Sequence, residues 1–352
     1  MTESKPLARF ETSRGAKIVR IPLEAFPGFW AYAYLVEKGD SRVLIDCGSG
    51  TEASHANLLS GLQQAGLEPR DLTHILLTHA HIDHYGGLSL LKPLTQAKIG
   101  VHELDLQTVS YHKARLALIG RRLALFLADA GLAEETREQL LSIYYFTKAI
   151  YRSVPIGFTY EAVDMCVGPF EMIHLPGHCP GHVAIRLENV IFCGDMVVEG
   201  VTPHLAPESI TPSSGLDHYL ESLSLFQRWA KDARLILNGH DDPITDLPGA
   251  IESTKQNIVR RMCKALDALD KPLTILEIAE AVYGESGGYS ALLIIEKTGA
   301  YVEYLYEHGM IEITNPGEVE QGRPARYRRV RMISGEKILS REKTSMLRSN
   351  VE

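Results

Sequence analysis

The sequence predicts an α/β protein, and three patterns along its 352 residues indicate this class. Short apolar runs that end in glycine or in a polar residue are typical of buried strands. Segments with apolar residues at helical spacing separate these runs. Over residues 104–160 the apolar residues keep this helical spacing, and the alternation with strand-like runs stops. After Pro248 the pattern changes to three helical segments followed by two short strands. We therefore predict a first domain over 1–247 with a helical insertion at about 104–160, a second domain over 248–332, and a flexible tail over 333–352.

The composition is typical of a globular chain rather than of a disordered or membrane-embedded one. Hydrophobic residues make up 45% of the sequence and the mean hydropathy is -0.06, which argues against disorder. No apolar stretch approaches the roughly 20 residues of a membrane span, and no apolar core follows Met1–Pro6 as in a signal peptide. The five cysteines are scattered and odd in number, which suits reduced cytoplasmic thiols. The net charge of -8 gives no general attraction to nucleic acid or to anionic membranes. We therefore expect a cytoplasmic protein with no membrane partner.

Local signals predict the first strands and the first helix. Residues 17–46 predict two strands joined by the turn Glu37–Asp40. Ala53–Ala65 predicts a helix, and Gly66 follows as the residue that ends it. The apolar run Ile75–Leu77 predicts the next strand, which leads directly into the most informative segment of the chain.

That segment contains three histidines and one aspartate within six positions: His79, His81, Asp83 and His84. A packed core does not favour such a cluster, because each buried polar ring needs its own hydrogen-bonding partner. A divalent metal ion does favour it, since neutral imidazole nitrogens and carboxylate oxygens are its ligands. A strand that ends here in a tight loop can direct His79 and His81 at one ion, and Asp83 and His84 at a neighbouring ion.

Three later segments repeat the pattern of an apolar strand that delivers one such side chain at its end. His178 lies in a loop rich in glycine and proline after an apolar run. Asp195 ends the run Val190–Gly194, and His240 follows the apolar residues and the glycine of Leu235–Gly239. Because glycine lets the backbone turn sharply, each segment can present its polar side chain to a metal.

With these four ordered motifs the chain resembles the metallo-β-lactamase superfamily, and within it the dinuclear hydrolases of the glyoxalase II and lactonase types. The resemblance covers roughly residues 17–245. It implies an αββα sandwich with the site at one edge of the paired sheets, and it implies that Asp46 supports the ligand loop. The implied ligands are His79, His81 and His178 for the first metal, Asp83, His84 and His240 for the second, and Asp195 as the bridge.

The same resemblance implies a hydrolytic reaction on a small molecule. Two metals roughly 3.5–4 Å apart lower the pKa of a bridging water, and the resulting hydroxide attacks an ester, thioester or lactone carbonyl. Asp83 would bind a metal and also act as the catalytic residue that carries a proton to the leaving group. The donor set of histidines and carboxylates suits two Zn²⁺ ions per chain, with Fe and Mn as alternatives. A homodimer is left open.

Departures from particular relatives narrow the function, and two alternatives stay open. Glyoxalase II carries a glutathione-binding helical extension where this chain differs, so S-lactoylglutathione is disfavoured as the substrate. The flavodiiron relatives have a glutamate where His81 stands, so a redox di-iron role is also disfavoured. The alternatives are a metal-dependent endoribonuclease or phosphodiesterase with the same metals, and a non-catalytic effector that keeps the metal site.

The helical insertion ends in an aromatic segment that includes Tyr145, Phe146 and Tyr151. These side chains either form a wall of the substrate pocket or only pack the insertion against the sandwich. Among the remaining histidines, His182 is predicted to make structural hydrogen bonds, and His204 and His218 are candidates for the pocket lining.

The second domain has the order helix, helix, helix, hairpin, which resembles a winged helix. Thr274 and Glu277 have the spacing of a capping box at the start of its second helix. The third helix carries acidic residues that would repel phosphates in a DNA groove, namely Glu296, Glu303 and Glu307. Basic residues collect in a later segment, where an RNA-contacting wing stays conceivable: Arg323, Arg326, Arg328, Arg329 and Arg331. We therefore predict a structural or pocket-covering module and disfavour nucleic acid as a partner.

Overall fold

Two large β-sheets organise the protein, which the computed structural model describes over residues 5–198, 200–330, 338 and 339. The first sheet has seven strands side by side in chain order: β1 (Ala8–Glu11), β2 (Lys17–Phe26), β3 (Phe29–Lys38), β4 (Ser41–Ile45), β5 (His74–Leu76), β6 (Lys98–Val101) and β7 (Phe158–Thr159). Strands β1 to β4 pair antiparallel, whereas β4 to β7 pair in parallel. The carboxyl ends of the parallel strands therefore lie along one edge of this sheet.

The prediction of two strands over residues 17–46 was wrong, because three strands form there. β2 and β3 are joined by the two-residue turn Pro27–Gly28, with Phe26 paired to Phe29 across it. Gly28 has a φ of +75°, which glycine adopts without steric cost. The apolar residues on both sides of this short turn resemble one long strand, and only the Pro-Gly pair marks the break.

The second sheet has five strands: β8 (Cys166–Val167), β9 (Phe170–His174), β10 (Val183–Leu187), β11 (Val190–Gly194) and β12 (Leu235–Asn238). Their spatial order is β12, β11, β10, β9, β8, and β11 pairs with β12 in parallel. A smaller third sheet consists of β13 (Ile311–Ile313) and β14 (Tyr327–Arg329), which pair antiparallel as the predicted hairpin requires.

The helices fill the connections between these strands. Their bounds are α1 (Glu52–Gln64), α2 (Ile82–Tyr85), α3 (Leu88–Leu91), α4 (Glu103–Ser110), α5 (His112–Asp129), α6 (Glu134–Lys148), α7 (Leu216–Trp229), α8 (Leu247–Ala268), α9 (Ile275–Tyr283), α10 (Gly288–Glu307) and α11 (Pro316–Val319). In the part of the chain that the structure describes, none of the helices has the length and apolar character needed to cross a bilayer. The predicted helix over Ala53–Ala65 is confirmed as α1, within one residue at each end.

The two sheets pack face to face, and helices cover both outer faces. Buried residues of the two sheets share one core, in which the rings of Tyr34 and Phe192 lie 5.2 Å apart. Helices α1 to α4 bury residues such as Leu58 and Val109 on the first sheet. The other helical layer packs on the second sheet through residues such as Phe226 of α7. The predicted αββα sandwich is confirmed.

The helical insertion consists of α4, α5 and α6, with a break between α5 and α6 at Gly131. Gly131 has a φ of +96° and ends the turn after α5. The carbonyl of the preceding Ala130 accepts a hydrogen bond from the Leu276 amide of α9 at 2.9 Å. The insertion is thereby joined directly to the C-terminal part of the chain.

The C-terminal module, residues 247–330, shares its core with the insertion and the second sheet. Its three helices precede the hairpin as predicted, and the capping box forms, with the Thr274 amide donating to the Glu277 carboxylate at 2.7 Å. Phe126 of α5 and Tyr301 of α10 belong to the same buried cluster. The assignment as a winged helix stays a prediction, as do the domain bounds. Arg331 and most of the predicted tail lie outside the described residues.

Because this core is continuous, we expect the sandwich and the C-terminal module to unfold together rather than as independent domains. Differential scanning calorimetry of the full chain should show one transition, with equal calorimetric and van't Hoff enthalpies. Two resolved transitions, one of them retained after removal of the segment that begins at residue 248, would contradict this expectation.

Candidate metal centre

The loop that carries the histidine run is held by the buried carboxylate of Asp46. This residue follows β4 with a φ of 57°, an uncommon left-handed conformation for a residue other than glycine. Its Oδ1 accepts a hydrogen bond from the Thr78 amide at 2.8 Å, and its Oδ2 accepts one from the Thr78 hydroxyl at 2.7 Å. The same Oδ2 lies 2.9 Å from His84 Nδ1. One carboxylate therefore fixes the start of the loop and also orients the His84 ring.

The predicted first ligand set comes together at this edge of the sandwich. His79, His81 and His178 each offer one ring nitrogen, and these atoms all lie within 4.8 Å of one another. His178 Nδ1 donates to the His204 carbonyl at 2.7 Å, and His79 Nδ1 lies 3.0 Å from the Thr78 hydroxyl. These contacts leave the Nε2 atoms of His79 and His178 buried and without a hydrogen-bond partner among the described residues.

The predicted second set forms an adjacent group of ligand atoms within 4.8 Å of one another: Asp83, His84 and His240. His240 Nδ1 donates to the Trp30 carbonyl at 2.8 Å, so its other nitrogen faces the group. His240 Nε2 lies 3.4 Å from His84 Nε2 and 3.5 Å from Asp83 Oδ2. Backbone and carboxylate partners thus orient both imidazoles of this set.

Asp195 lies between the two sets, at the end of β11. Its Oδ2 is 3.0 Å from His240 Nε2, 3.6 Å from His178 Nε2 and 4.0 Å from His79 Nε2. Its Oδ1 lies 3.4 Å from His84 Nε2 and is buried, with no hydrogen bond from the residues that the structure describes. This carboxylate contacts members of both groups, as the resemblance implied for a bridging ligand.

The electrostatics differ between the two groups. Burial lowers the pKa of His79 and His81, and it lowers the pKa of His178 to about 4, so these rings are neutral. Burial also opposes a charge on His240, yet the Asp195 carboxylate raises its pKa to about 9. Burial by itself would raise the pKa of Asp195, but His240 and His84 hold that pKa well below its usual range.

The residues at this edge fit divalent metal ions. Buried polar atoms nearly always have hydrogen-bond partners, yet three atoms here have none among the described residues and point at the same region: His79 Nε2, His178 Nε2 and Asp195 Oδ1. The surrounding donors are imidazole nitrogens and carboxylate oxygens, which Zn²⁺, Fe and Mn all accept.

Sequence reasoning missed Asp105, a buried carboxylate in α4 that connects the two ligand loops. Its Oδ2 accepts from the Ala80 amide at 2.8 Å, between His79 and His81, and its Oδ1 accepts from the Gly181 amide at 3.1 Å. The Cys179 thiol lies 3.4 Å from both oxygens and faces Asp105. Only an acidic residue early in a helix was visible in the sequence, and that is an ordinary surface signal.

Of the other three histidines considered as structural or pocket-lining residues, two lie at the site and one does not. His182 is fully buried and its Nε2 accepts a hydrogen bond from the Asp195 amide at 3.2 Å, the structural role predicted for it. His204 borders the site, since its carbonyl holds His178 and its Nε2 lies 2.9 Å from Glu296. His218 pairs instead with Glu208 on an exposed surface away from these ligands.

The three aromatic residues of the insertion differ in their exposure and in the residues that they contact. Phe146 is 80% exposed and Tyr145 is 40% exposed, and the Tyr145 hydroxyl lies against Gly120 of α5. Tyr151 is buried, and its ring packs against Gly86, directly after the histidine run. Of these three aromatics, Tyr151 is the one that lies beside the candidate site.

Comparisons with known proteins agree with this geometry. The family model described as the metallo-beta-lactamase superfamily matches residues 29–240. A probable metallo-hydrolase YqjP of Bacillus subtilis is 23% identical over 84% of this chain and 93% of its own length. An atrochrysone carboxyl ACP thioesterase of Claviceps purpurea is 26% identical over 74% of this chain and 70% of its own length. The crystal structure of a metallo-beta-lactamase family protein from Thermus thermophilus has a TM-score of 0.67 and 26% identity, covering 89% of this chain and 98% of that one.

Because the family model spans more than half of its residues, the chain belongs to the metallo-beta-lactamase superfamily. The relatives named above include a metallo-hydrolase and a thioesterase, so hydrolysis is the activity represented among them.

Replacing Asp105 with Asn should loosen both ligand loops, because one acceptor oxygen and the negative charge are lost. Supporting groups of this kind typically change metal affinity by about 10–100-fold, and we expect a loss in that range. Zn²⁺ affinity, measured by competition with a chromophoric chelator, provides the test. The exposed Asp232→Asn variant is the control, and equal affinities in the two variants would remove Asp105 from the support of the site.

Proposed function

We propose that this protein is a dinuclear metal-dependent hydrolase that cleaves the acyl bond of an ester, thioester or lactone. The main support is that three buried atoms, which have no hydrogen-bond partner among the described residues, converge within a set of nitrogen and oxygen donors. These atoms are His79 Nε2, His178 Nε2 and Asp195 Oδ1. The proposed ligands are His79, His81 and His178 for the first ion, Asp83, His84 and His240 for the second, and Asp195 for both. We propose Zn²⁺ as the metal, with Fe and Mn as the alternatives.

When bound, two such ions supply a water that is deprotonated near neutral pH and polarise the substrate carbonyl. The chain itself contributes the fixed geometry of the site. Asp46 orients His84, the His204 carbonyl orients His178, and the Trp30 carbonyl orients His240. Because each ring is held by its Nδ1 atom, no rearrangement of these imidazoles is required when the reaction begins.

Asp83 is the proposed proton carrier. Its Oδ2 lies 3.7 Å from His84 Nε2 and 3.5 Å from His240 Nε2, and the side chain is 14% exposed. With one oxygen turned toward these ligands, the other oxygen is available to take up a proton and deliver it to the leaving group. An alkoxide or thiolate leaving group would thereby depart as a neutral alcohol or thiol.

The ribonuclease alternative finds less support at the hairpin arginines. Arg326 pairs with Glu277 at 3.2 Å, Arg328 pairs with Glu312 at 2.8 Å, and Arg329 pairs with Asp270. These carboxylates offset much of the positive charge that phosphates would require. Helix α10, the helix that would enter a DNA groove in a winged helix, packs between α6, α7 and α9. We therefore favour a small-molecule substrate and, since the five cysteines are free thiols, a cytoplasmic location.

The ligand set predicts two metal ions per chain. Elemental analysis of protein purified without chelator, and again after reconstitution with Zn²⁺, Mn²⁺ or Fe²⁺, should give a stoichiometry close to two. A value of one or less after every reconstitution would refute the dinuclear centre and leave at most a mononuclear one.

Replacing Asp83 with Asn keeps the size of the side chain and removes its charge and its basic oxygen. We expect kcat to fall by about 10²–10⁴, the range typical of general acid–base residues, on whichever substrate a panel of lactones, thioesters, aryl esters, phosphodiesters and single-stranded RNA identifies. Metal content must be measured on the same samples, with the exposed Asp40→Asn variant as the control. Near-wild-type turnover with both metals bound would exclude Asp83 from proton transfer. Cleavage of only single-stranded RNA or phosphodiesters in that panel would favour the alternative function.

A further inference from the structure

A lysine and three tyrosines from outside the sandwich form a cluster at the side of the candidate metal centre: Lys148, Tyr144, Tyr151 and Tyr289. Lys148 ends α6 of the insertion, and Tyr289 lies in the first turn of α10 in the C-terminal module. Lys148 Nζ is 3.4 Å from the Tyr289 hydroxyl and 4.6 Å from the centroid of the Tyr144 ring. The cluster therefore exists only because the insertion and the C-terminal module pack against each other.

A chain of hydrogen bonds fixes Lys148 relative to the ligand loop. Tyr85, next to His84, donates its hydroxyl to His112 Nδ1 at 3.0 Å. His112 Nε2 then donates to the Lys148 carbonyl at 3.1 Å. The backbone of Lys148 is thus connected through one imidazole to the helix that carries Asp83 and His84.

The cluster reaches the ligand loop through Tyr151, whose ring packs against Gly86 directly after the histidine run, and the electrostatic effects agree with this position. Burial lowers the pKa of Lys148, and the carboxylates of Glu296 and Asp83 act on it in the opposite direction. Burial raises the pKa of Tyr151 and of Tyr289, and the charge of Asp83 raises both further. The charge of Asp83 therefore acts on all three of these polar groups.

The polar groups of the cluster are incompletely satisfied. Among the residues that the structure describes, Lys148 Nζ contacts the Tyr289 hydroxyl and the rings of Tyr144 and Tyr289 and forms no ion pair with a carboxylate, although the residue is partly buried. The Tyr151 hydroxyl is fully buried and has no hydrogen-bond partner within the described ranges. A partly desolvated ammonium without a direct counter-ion is unfavourable unless an anion completes it. The partial exposure of Lys148 and Tyr289 leaves a side from which such an anion can approach.

Resting on the proposed hydrolase function, we propose that Lys148, Tyr289 and Tyr151 form a subsite for a carboxylate carried by the acyl group of the substrate. The ammonium supplies the charge, and the two phenol hydroxyls supply directed donors. A monoanion suits the subsite better than a phosphate dianion, because the subsite has a single positive charge and the charges of Glu296 and Asp83 also act on it. The substrate class is therefore an ester or thioester of a dicarboxylic acid, attacked at one end and held at the other.

The test compares two aryl esters of equal acyl length on enzyme with measured metal content. Wild type should have a higher kcat/KM for para-nitrophenyl hemiglutarate than for the neutral para-nitrophenyl valerate. Lys148→Met should lower kcat/KM for the hemiglutarate by on the order of 10–100-fold, the effect of one charge-assisted contact, mainly through KM. Its activity on the valerate should stay within about threefold of wild type. Lys148→Arg should keep the preference, and Lys231→Met, at an exposed lysine, should match wild type on both esters.

Tyr151→Phe and Tyr289→Phe remove only the hydroxyl groups and should each weaken hemiglutarate binding less than Lys148→Met does. Equal loss on both esters in Lys148→Met, or no preference for the hemiglutarate in wild type, would overturn the subsite.

Calorimetric binding of glutarate separates failure of the subsite from failure of the hydrolase proposal. If neither ester is cleaved by protein that holds two metals, the proposed function fails, and glutarate binding still decides the subsite. Glutarate bound by wild type and lost in Lys148→Met at equal metal content would support it. No glutarate binding by wild type would overturn the subsite, whether or not Lys148→Met folds well. Identical glutarate binding in both proteins would also overturn it.

Discussion

The buried carboxylate of Asp195 is the interaction on which the rest of the site depends. Four imidazoles surround it at 3.0 to 4.0 Å, and they arrive from both sheets of the sandwich. Holding an ionised carboxylate in the interior is costly unless positive charge or directed donors compensate it. The positive charge that this environment calls for can be carried by the imidazoles or by metal ions. The buried carboxylate needs such compensation, and the loops that converge at this edge of the sheets bring the imidazoles that can provide it.

Two further aspartates keep the ligand loops in register. Asp46 contacts Thr78 and His84 at the two ends of the histidine run. Asp105 contacts Ala80 in the same run and Gly181 in the loop of His178. Because both carboxylates accept backbone amides, they define the path of the loops rather than the chemistry of the site. The geometry of the candidate ligands is therefore set by groups outside the candidate ligand sets.

The insertion and the C-terminal module build the side of the site that the sandwich leaves open. Their helices share one buried core with the second sheet, and the Leu276 amide of α9 donates to the Ala130 carbonyl of the insertion. Only with both segments present do Lys148 and Tyr289 meet. A fixed set of metal ligands combined with a variable wall is a physical route by which one fold acquires a new substrate preference.

The sequence by itself determined the α/β class, the strand-end motifs and the identity of the residues that gather at the site. These features are local, since an apolar run followed by glycine and histidine carries its information within a few positions. It left the Pro27–Gly28 turn undetected, because apolar residues continue on both sides of it. It also assigned no role to Asp105, whose partners lie 25 and 76 positions away. The contact of Lys148 with Tyr289 joins residues 141 positions apart. Only the tertiary structure decided these contacts, because the packing of helices from distant segments determines which side chains meet, and no local pattern encodes that packing.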